Sequence, residues 1–220
     1  MFGKNTKNLE TEVSGLVFQN PLGVPYILKK RRFKCFRPAP KAGFLLLTPP
    51  KENILAWIKA LQTELPDHPV LAVDVNFDII RTFSLVYDFA DIIIINPDSD
   101  NGIGATDMAD TVALLDEIVS LRLCYERYTP VFLRLSHGIT PEELHSLLDT
   151  CQLSGLDGVV APTSAMVARV MDITQGRVPV IGTAQNPEEA LQTLQEGACL
   201  VETTPGFRGV KKLLKRLEND

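Results

Sequence analysis

The chain has 220 residues, of which 45% are hydrophobic and 22% charged, a balance typical of a folded globular protein. Its formal net charge of −5 gives no general attraction to nucleic acids or anionic membranes, so we expect neither as a partner. No apolar run approaches the roughly 18–20 residues that span a bilayer, and the polar N-terminal segment is unlike a signal peptide. We therefore expect a cytoplasmic protein with one domain over residues 1–220.

The four cysteines, Cys35, Cys124, Cys151 and Cys199, are widely and irregularly spaced. No CxxC pair occurs, so the sequence predicts neither a zinc site nor a disulfide framework. Reduced thiols agree with a cytoplasmic location.

Short β-branched runs recur along the chain, and several are apolar throughout. This pattern is typical of parallel strands that are covered on both faces. The eight predicted strands are residues 15–18 continuing to 24, 44–47, 70–75, 92–95, 131–135, 158–161, 178–181 and 200–203.

Amphipathic stretches separate these runs, with apolar residues at helical spacing. Thr140 and Asn186 each precede a proline and two glutamates, which predicts the N-cap, the first position and the acidic first turn of a helix. Alternating strands and helices indicate a parallel sheet with right-handed crossovers. We predict a compact (β/α)8 TIM barrel with short loops. An open doubly wound sheet is the alternative, because the first connection, residues 29–40, is basic and not clearly helical.

The active sites of such barrels lie at the carboxyl ends of the strands, so the residues there are the candidates. At these ends Ser99 is compatible with a base or a helix cap, and Arg134 needs either a carboxylate such as Asp74 or an anionic ligand. The basic run at residues 29–34 is read as a solvated loop, with an anion-binding lid as the sharper alternative. Glycines at residues 206–209 are compatible with a phosphate site or a tight turn.

The order of motifs resembles the dihydroorotate dehydrogenase family over nearly the whole chain. The segment at residues 15–23, GLVFQNPLG, is similar to the opening strand of that family. Residues 90–101, with Asn96, Ser99 and Asn101, are similar to its central Asn-x-x-Ser-x-Asn motif, and residues 176–182 are similar to the approach to its phosphate site.

The resemblance implies an FMN-dependent oxidoreductase of pyrimidine biosynthesis. By position, Ser99 matches the base of the serine-using class, Lys30 matches a lysine that contacts the substrate carboxylate, and Asn96 and Asn101 match amides that hold substrate and flavin. Thr163 takes the place of a substrate amide. The flavin-side positions that the resemblance implies are Asp74, Asn96, Arg134, Gly182, Thr183, Ala184, Gln185 and Thr204.

Several of these positions depart from the family pattern. Arg134 stands where the family has a flavin-contacting lysine, Asp74 replaces an asparagine, and residues 182–185 replace a glycine-rich phosphate loop. Thr204 and the following proline replace a Tyr-Thr pair, and residues 24–27 replace a small run that lies against the flavin.

Two functions therefore remain open. One is an active FMN enzyme acting on a dihydroorotate-like CH–CH bond, which would purify yellow. The other is a non-catalytic or repurposed barrel that binds a small anionic molecule, orotate-like or phosphorylated, or a protein partner. A homo-oligomer is compatible with either function.

Overall fold

Eight parallel strands close into a barrel in the computed structural model of the chain, which describes residues 9–26, 41–97, 108–204 and 209–218. Each barrel strand pairs with its neighbours in chain order, and the last pairs with the first. The predicted (β/α)8 barrel is therefore confirmed, and the open sheet is excluded. The barrel strands are β3 (Leu22–Tyr26), β4 (Phe44–Leu47), β5 (Val70–Val75), β6 (Ile92–Ile95), β7 (Val131–Arg134), β8 (Gly158–Ala161), β9 (Val180–Ala184) and β10 (Leu200–Thr203).

Helices cover the outside of the barrel. Strand β6 consists of four isoleucines that are all buried, because one face meets the barrel interior and the other meets the helices. The described helices are α1 (Ile54–Glu64), α2 (Ile79–Val86), α3 (Met108–Arg122), α4 (Pro141–Ser154), α5 (Ser164–Thr174), α6 (Pro187–Gln195) and α7 (Val210–Leu217).

The two helix starts predicted from Pro-Glu-Glu motifs are confirmed. Thr140 caps α4 in a capping box, in which Glu143 N–H donates to the threonine hydroxyl and the Glu143 carboxylate accepts from Thr140 N–H. Asn186 caps α6 through a bond from Glu189 N–H. Side chains close in the sequence therefore determine where these two helices begin.

The N-terminal end of the barrel is closed by a hairpin of β1 (Thr11–Val13) and β2 (Leu16–Phe18). The prediction of one strand over residues 15–18 continuing to 24 is therefore wrong. Ser14 and Gly15 both have positive φ, which makes a tight two-residue turn, and β2 pairs back on β1 instead of joining the barrel. Phe18 is buried against the interior, with its ring edge-on to Phe44 at 5.9 Å between centroids.

Aromatic and aliphatic side chains fill the half of the barrel interior that lies at the amino ends of the strands. Two glycines make room for the rings: a Cβ at Gly23 would lie 2.1 Å from the Phe44 ring, and one at Gly158 would lie 2.4 Å from the Phe132 ring. Inward-facing polar side chains therefore have space only at the carboxyl ends of the strands.

Two strand ends differ from the prediction. Strand β9 begins at Val180 and runs to Ala184, later than the predicted 178–181, and β7 ends at Arg134. Among the described residues, no helix has the length and apolar character needed to cross a membrane.

Gly43 lies against the backbone where β3 and β4 begin, and this contact gives a stability prediction. A Cβ at Gly43 would lie 1.8 Å from the carbonyl oxygen of Asn20, whose side chain also bonds Lys41 and Leu22. We expect Gly43→Ala to lower the free energy of unfolding by about 2 kcal/mol, measured by urea denaturation, because backbone must move. Gly138→Ala is the control, since its Cβ meets nothing within 4 Å. Equal stability of both variants would contradict this packing.

Candidate functional site

A cluster of polar side chains lies inside the barrel at the carboxyl ends of its strands. Arg134 follows the interior Phe132 by two residues, and Glu202 follows the interior Leu200 by two, so the strand pleat directs both inward. Asp74 on β5 and Thr183 on β9 reach the same point. We call Asp74, Arg134, Thr183 and Glu202 the mouth cluster.

Arg134 is held by two carboxylates. Its Nη1 donates to Glu202 Oε1 at 2.6 Å and its Nη2 to Glu202 Oε2 at 3.0 Å, a bidentate fork. Nη2 also donates to Asp74 Oδ2 at 3.0 Å, and the Thr183 hydroxyl donates to Glu202 Oε1 at 2.9 Å. Of the two partners that the sequence left open for Arg134, a carboxylate such as Asp74 or an anionic ligand, the structure shows the carboxylate Asp74, and Glu202 makes the shorter and bidentate contact.

Burial sets the electrostatics of this cluster. The side chains of Glu202, Asp74 and Arg134 are 5%, 12% and 17% exposed. Desolvation raises the pKa of Asp74 and the charge of Glu202 raises it further, while Arg134 and the Asn96 amide act in the opposite direction. Burial lowers the pKa of Arg134, but the two carboxylates outweigh it and leave that pKa raised. With both acids ionised, the three groups carry a net charge of −1.

Two buried atoms of the cluster have no hydrogen-bond partner among the described residues: Arg134 Nε and Asp74 Oδ1. In the planar guanidinium, Nε–H and the Nη2–H that faces Asp74 share one edge. Asp74 therefore makes one bond to this edge through Oδ2, while the Nε donor of Arg134 and the Oδ1 acceptor of Asp74 are both left without a partner. Each such buried atom costs stability unless another molecule satisfies it.

Asn96 and Thr204 lie at strand ends beside the cluster. Asn96 N–H donates to Val75 O at 2.9 Å, and the Asn96 amide is near enough to the Asp74 carboxyl to favour its charged form. Thr204 N–H donates to Ala184 O at 3.0 Å, which continues the pairing of β10 with β9. These backbone bonds fix where both residues sit.

Residues 182–185, which by resemblance replace a phosphate loop, are strand for most of their length, so the predicted strand end at residue 181 is wrong. Gly182, Thr183 and Ala184 belong to β9. Gly182 faces outward, where a Cβ would lie 2.0 Å from Thr193 on α6, and Ala184 is buried in the outer core. Of these three residues, only Thr183 enters the mouth.

The start of α6 is satisfied by its own side chains. The Glu189 carboxylate accepts from Gln185 N–H at 2.8 Å and from Asn186 Nδ2 at 2.6 Å. Pro187 brings no N–H to the first turn, and Glu188 adds a second acid. This helix start therefore presents negative charge and few free donors.

The structure also shows the surroundings of Thr163 and Tyr26. Thr163 is exposed, and its hydroxyl accepts from Met166 N–H at 3.2 Å as the cap of α5. Tyr26 was expected against a flavin, but it packs outside the barrel and donates to Glu64 Oε2 on α1 at 3.1 Å. The pleat turns Tyr26 outward because Gly23 faces inward.

Lys30, Ser99 and Asn101 lie outside the described residues, as do residues 206–208. Their assigned roles stay predictions. In the described parts of the chain, no group of three His, Cys, Asp or Glu side chains is arranged to hold a metal ion.

Glu202 is the residue that the sequence analysis missed. The rule that candidates follow the strand ends selects Thr204 and later residues, whereas Glu202 lies inside β10. A carboxylate in the otherwise apolar and hydroxylic run Leu-Val-Glu-Thr is nevertheless a signal. A glutamate in a buried strand needs a partner, and Arg134 was the available cation.

The cluster predicts how the pKa of Asp74 responds to Glu202. Its folded pKa lies above the usual 3.8, so the native state holds the proton more tightly, and the contribution of Asp74 to stability falls as pH rises from 3.8 through the folded value. Glu202→Gln removes a neighbouring negative charge and should lower the pKa of Asp74, measured by ¹³C NMR titration. Asp157, paired with Arg122 at the opposite end of the barrel, should not change. An unchanged Asp74 pKa would contradict the described coupling.

Comparison with known proteins points to one family. No protein-family model matches the chain. A dihydroorotate dehydrogenase (quinone) of Saccharophagus degradans is 24% identical, with the match covering 59% of this chain and 50% of that protein. One of Cereibacter sphaeroides is 22% identical, over 56% of this chain and 44% of that protein. The matches thus span about half the length of these curated relatives.

Solved structures agree on the fold. DHODH from Eimeria tenella in complex with ferulenol superposes with a TM-score of 0.72 at 15% identity, covering 100% of this chain and 85% of that one. The ligand-free form from the same organism gives 0.72 at 16% identity, covering 100% and 88%. The sequence matches support a divergent relative of the dihydroorotate dehydrogenases, and the solved structures show that the barrel fold is shared.

Proposed function

We propose that this chain is a barrel derived from the dihydroorotate dehydrogenases that works without bound flavin and binds a small molecule at the mouth cluster. The observation that carries the proposal is the fork between Arg134 and Glu202, completed by Asp74. By resemblance, Arg134 replaces a lysine that contacts the flavin. Here both terminal nitrogens of the guanidinium are already bonded within the protein.

The charge of the mouth also disfavours FMN. By resemblance, the family lysine offers a positive charge to the flavin ring, whereas the positive charge of Arg134 is already paired with Asp74 and Glu202. A ring oxygen that displaced a carboxylate from the terminal nitrogens of Arg134 would lie against that carboxylate after it had lost its partner. Such a contact is unfavourable in a low-dielectric site.

The phosphate end of FMN fits the described residues no better. Binding a phosphate at a helix start needs free N–H groups and the positive end of the helix dipole. At α6 the donors of Gln185 and Asn186 are bonded to Glu189, and Glu188 lies in the same turn. A phosphate would have to displace one carboxylate and lie beside another.

The second candidate is an FMN oxidoreductase acting on a dihydroorotate-like acid. It is favoured by the sequence matches to dihydroorotate dehydrogenases (quinone) and by Asn96, which lies beside the mouth as the resemblance implies for a flavin and substrate amide. In that case Ser99 would remove the substrate proton, and FMN would supply the redox chemistry. The two candidates differ in whether FMN binds.

The visible absorption spectrum of the purified protein, before and after equilibrium dialysis against excess FMN, separates the two candidates. We expect a colourless protein that takes up far less than one FMN per chain, because Arg134 and the start of α6 are occupied by internal partners. The fluorescence of FMN in the two dialysis compartments gives the number of FMN molecules bound per chain.

Stoichiometric flavin in the wild-type protein would refute this proposal and support the oxidoreductase. The next step would then be reduction of a quinone by dihydroorotate, with Ser99→Ala expected to lower turnover without loss of colour. Denaturing and re-dialysing the same sample controls for flavin that adheres nonspecifically.

A further inference from the structure

The two unpaired atoms of the mouth cluster, Asp74 Oδ1 and Arg134 Nε, define what a ligand there must offer. The first is an acceptor and the second a donor, and both are buried. Asn96 approaches the Asp74 carboxyl, but no donor among the described residues completes a hydrogen bond to Oδ1. The complementary group is an N–H donor next to a neutral oxygen acceptor, as in a cyclic amide or a carboxamide.

Charge narrows the choice further. A carboxylate or phosphate aimed at Arg134 would meet the Glu202 carboxylate, which already takes the bidentate edge of the guanidinium. Thr183 holds Glu202 in this position by donating to Oε1 at 2.9 Å. An anion would therefore be repelled and would find one N–H free instead of a fork.

We propose that Glu202 sets the ligand preference of the mouth, so that it takes an uncharged molecule with adjacent N–H and C=O groups and rejects carboxylates and phosphates. The ligand N–H donates to Asp74 Oδ1, and the ligand carbonyl accepts from Arg134 Nε–H. This inference rests on the flavin-free function proposed above. It reverses the expectation, made from the sequence, that the site binds a small anion.

Uracil and orotate are the probes, because they share one ring and differ by the orotate carboxylate. We expect isothermal titration calorimetry at pH 7 to show that wild-type protein binds uracil at least about tenfold more tightly than orotate. The reason is that the orotate carboxylate would lie near the buried Glu202 carboxylate, and this repulsion outweighs the contacts that the shared ring makes. In Glu202→Gln, the affinity for orotate should rise at least about tenfold, while that for uracil changes little.

A further variant and its matched control test whether uracil binds at the mouth cluster. Asp74→Leu keeps the Arg134–Glu202 fork and removes the acceptor, so uracil affinity should fall about tenfold or more. Asp78→Asn is the matched control, because Asp78 is an exposed carboxylate that follows the same strand and pairs with the exposed Arg81 at 3.6 Å. This variant should leave both affinities unchanged. Circular dichroism of each variant checks that it is folded.

Wild-type protein that binds orotate as tightly as uracil, or binds neither, would overturn this inference. So would a Glu202→Gln variant in which orotate gains no affinity. If Glu202→Gln does not fold, the wild-type comparison and Asp74→Leu still decide the matter. Failure here is separate from failure of the flavin-free function, which is read only from FMN uptake.

Discussion

One buried guanidinium held between two carboxylates governs the carboxyl end of this barrel. Arg134 bonds Glu202 at 2.6 and 3.0 Å and Asp74 at 3.0 Å, so that strands β5, β7 and β10 are joined across the interior by charge as well as by packing. Removing one partner of such a cluster leaves an uncompensated buried charge, which costs far more than an exposed ion pair contributes. Whatever binds at this end must therefore adapt to a network that is already formed.

The fold explains why that network stands where it does. Phe44, Phe132 and the closing hairpin residue Phe18 fill the opposite half of the interior, and glycines at 23 and 158 give the rings their space. Inward-facing polar residues can then lie only near the strand ends, where they are too buried to be left unpaired. The same pleat that directs Arg134 and Glu202 inward directs Tyr26 and Gly182 outward. A departure from the family pattern therefore alters the mouth at an inward-facing position and the packing against the helices at an outward-facing one.

The sequence predicted the strands best where a run was apolar on both faces, as in Ile92–Ile95, and the helices best where caps were local, as at Thr140. It failed at the hairpin, because two positive-φ residues reverse the chain without changing its apolar pattern. Within the candidate site it found Arg134 and Asp74 but not Glu202. Arg134 and Glu202 are 68 residues apart in the chain, and their contact depends on how strands β7 and β10 are placed in the closed barrel. The periodicity of apolar residues along the sequence gives no information about that placement.

The most direct measurement of the central claim is the ¹⁵N NMR spectrum of the arginine side chains in the protein without added ligand. A bidentate fork with Glu202 stops rotation of the guanidinium, so Arg134 should give separate signals for Nη1 and Nη2 that merge in Glu202→Gln. The exposed Arg81 should give one averaged signal in both proteins. An averaged Arg134 signal in the wild-type protein would show that the guanidinium is free to meet a ligand, and would contradict the account of a mouth closed by its own ion pairs.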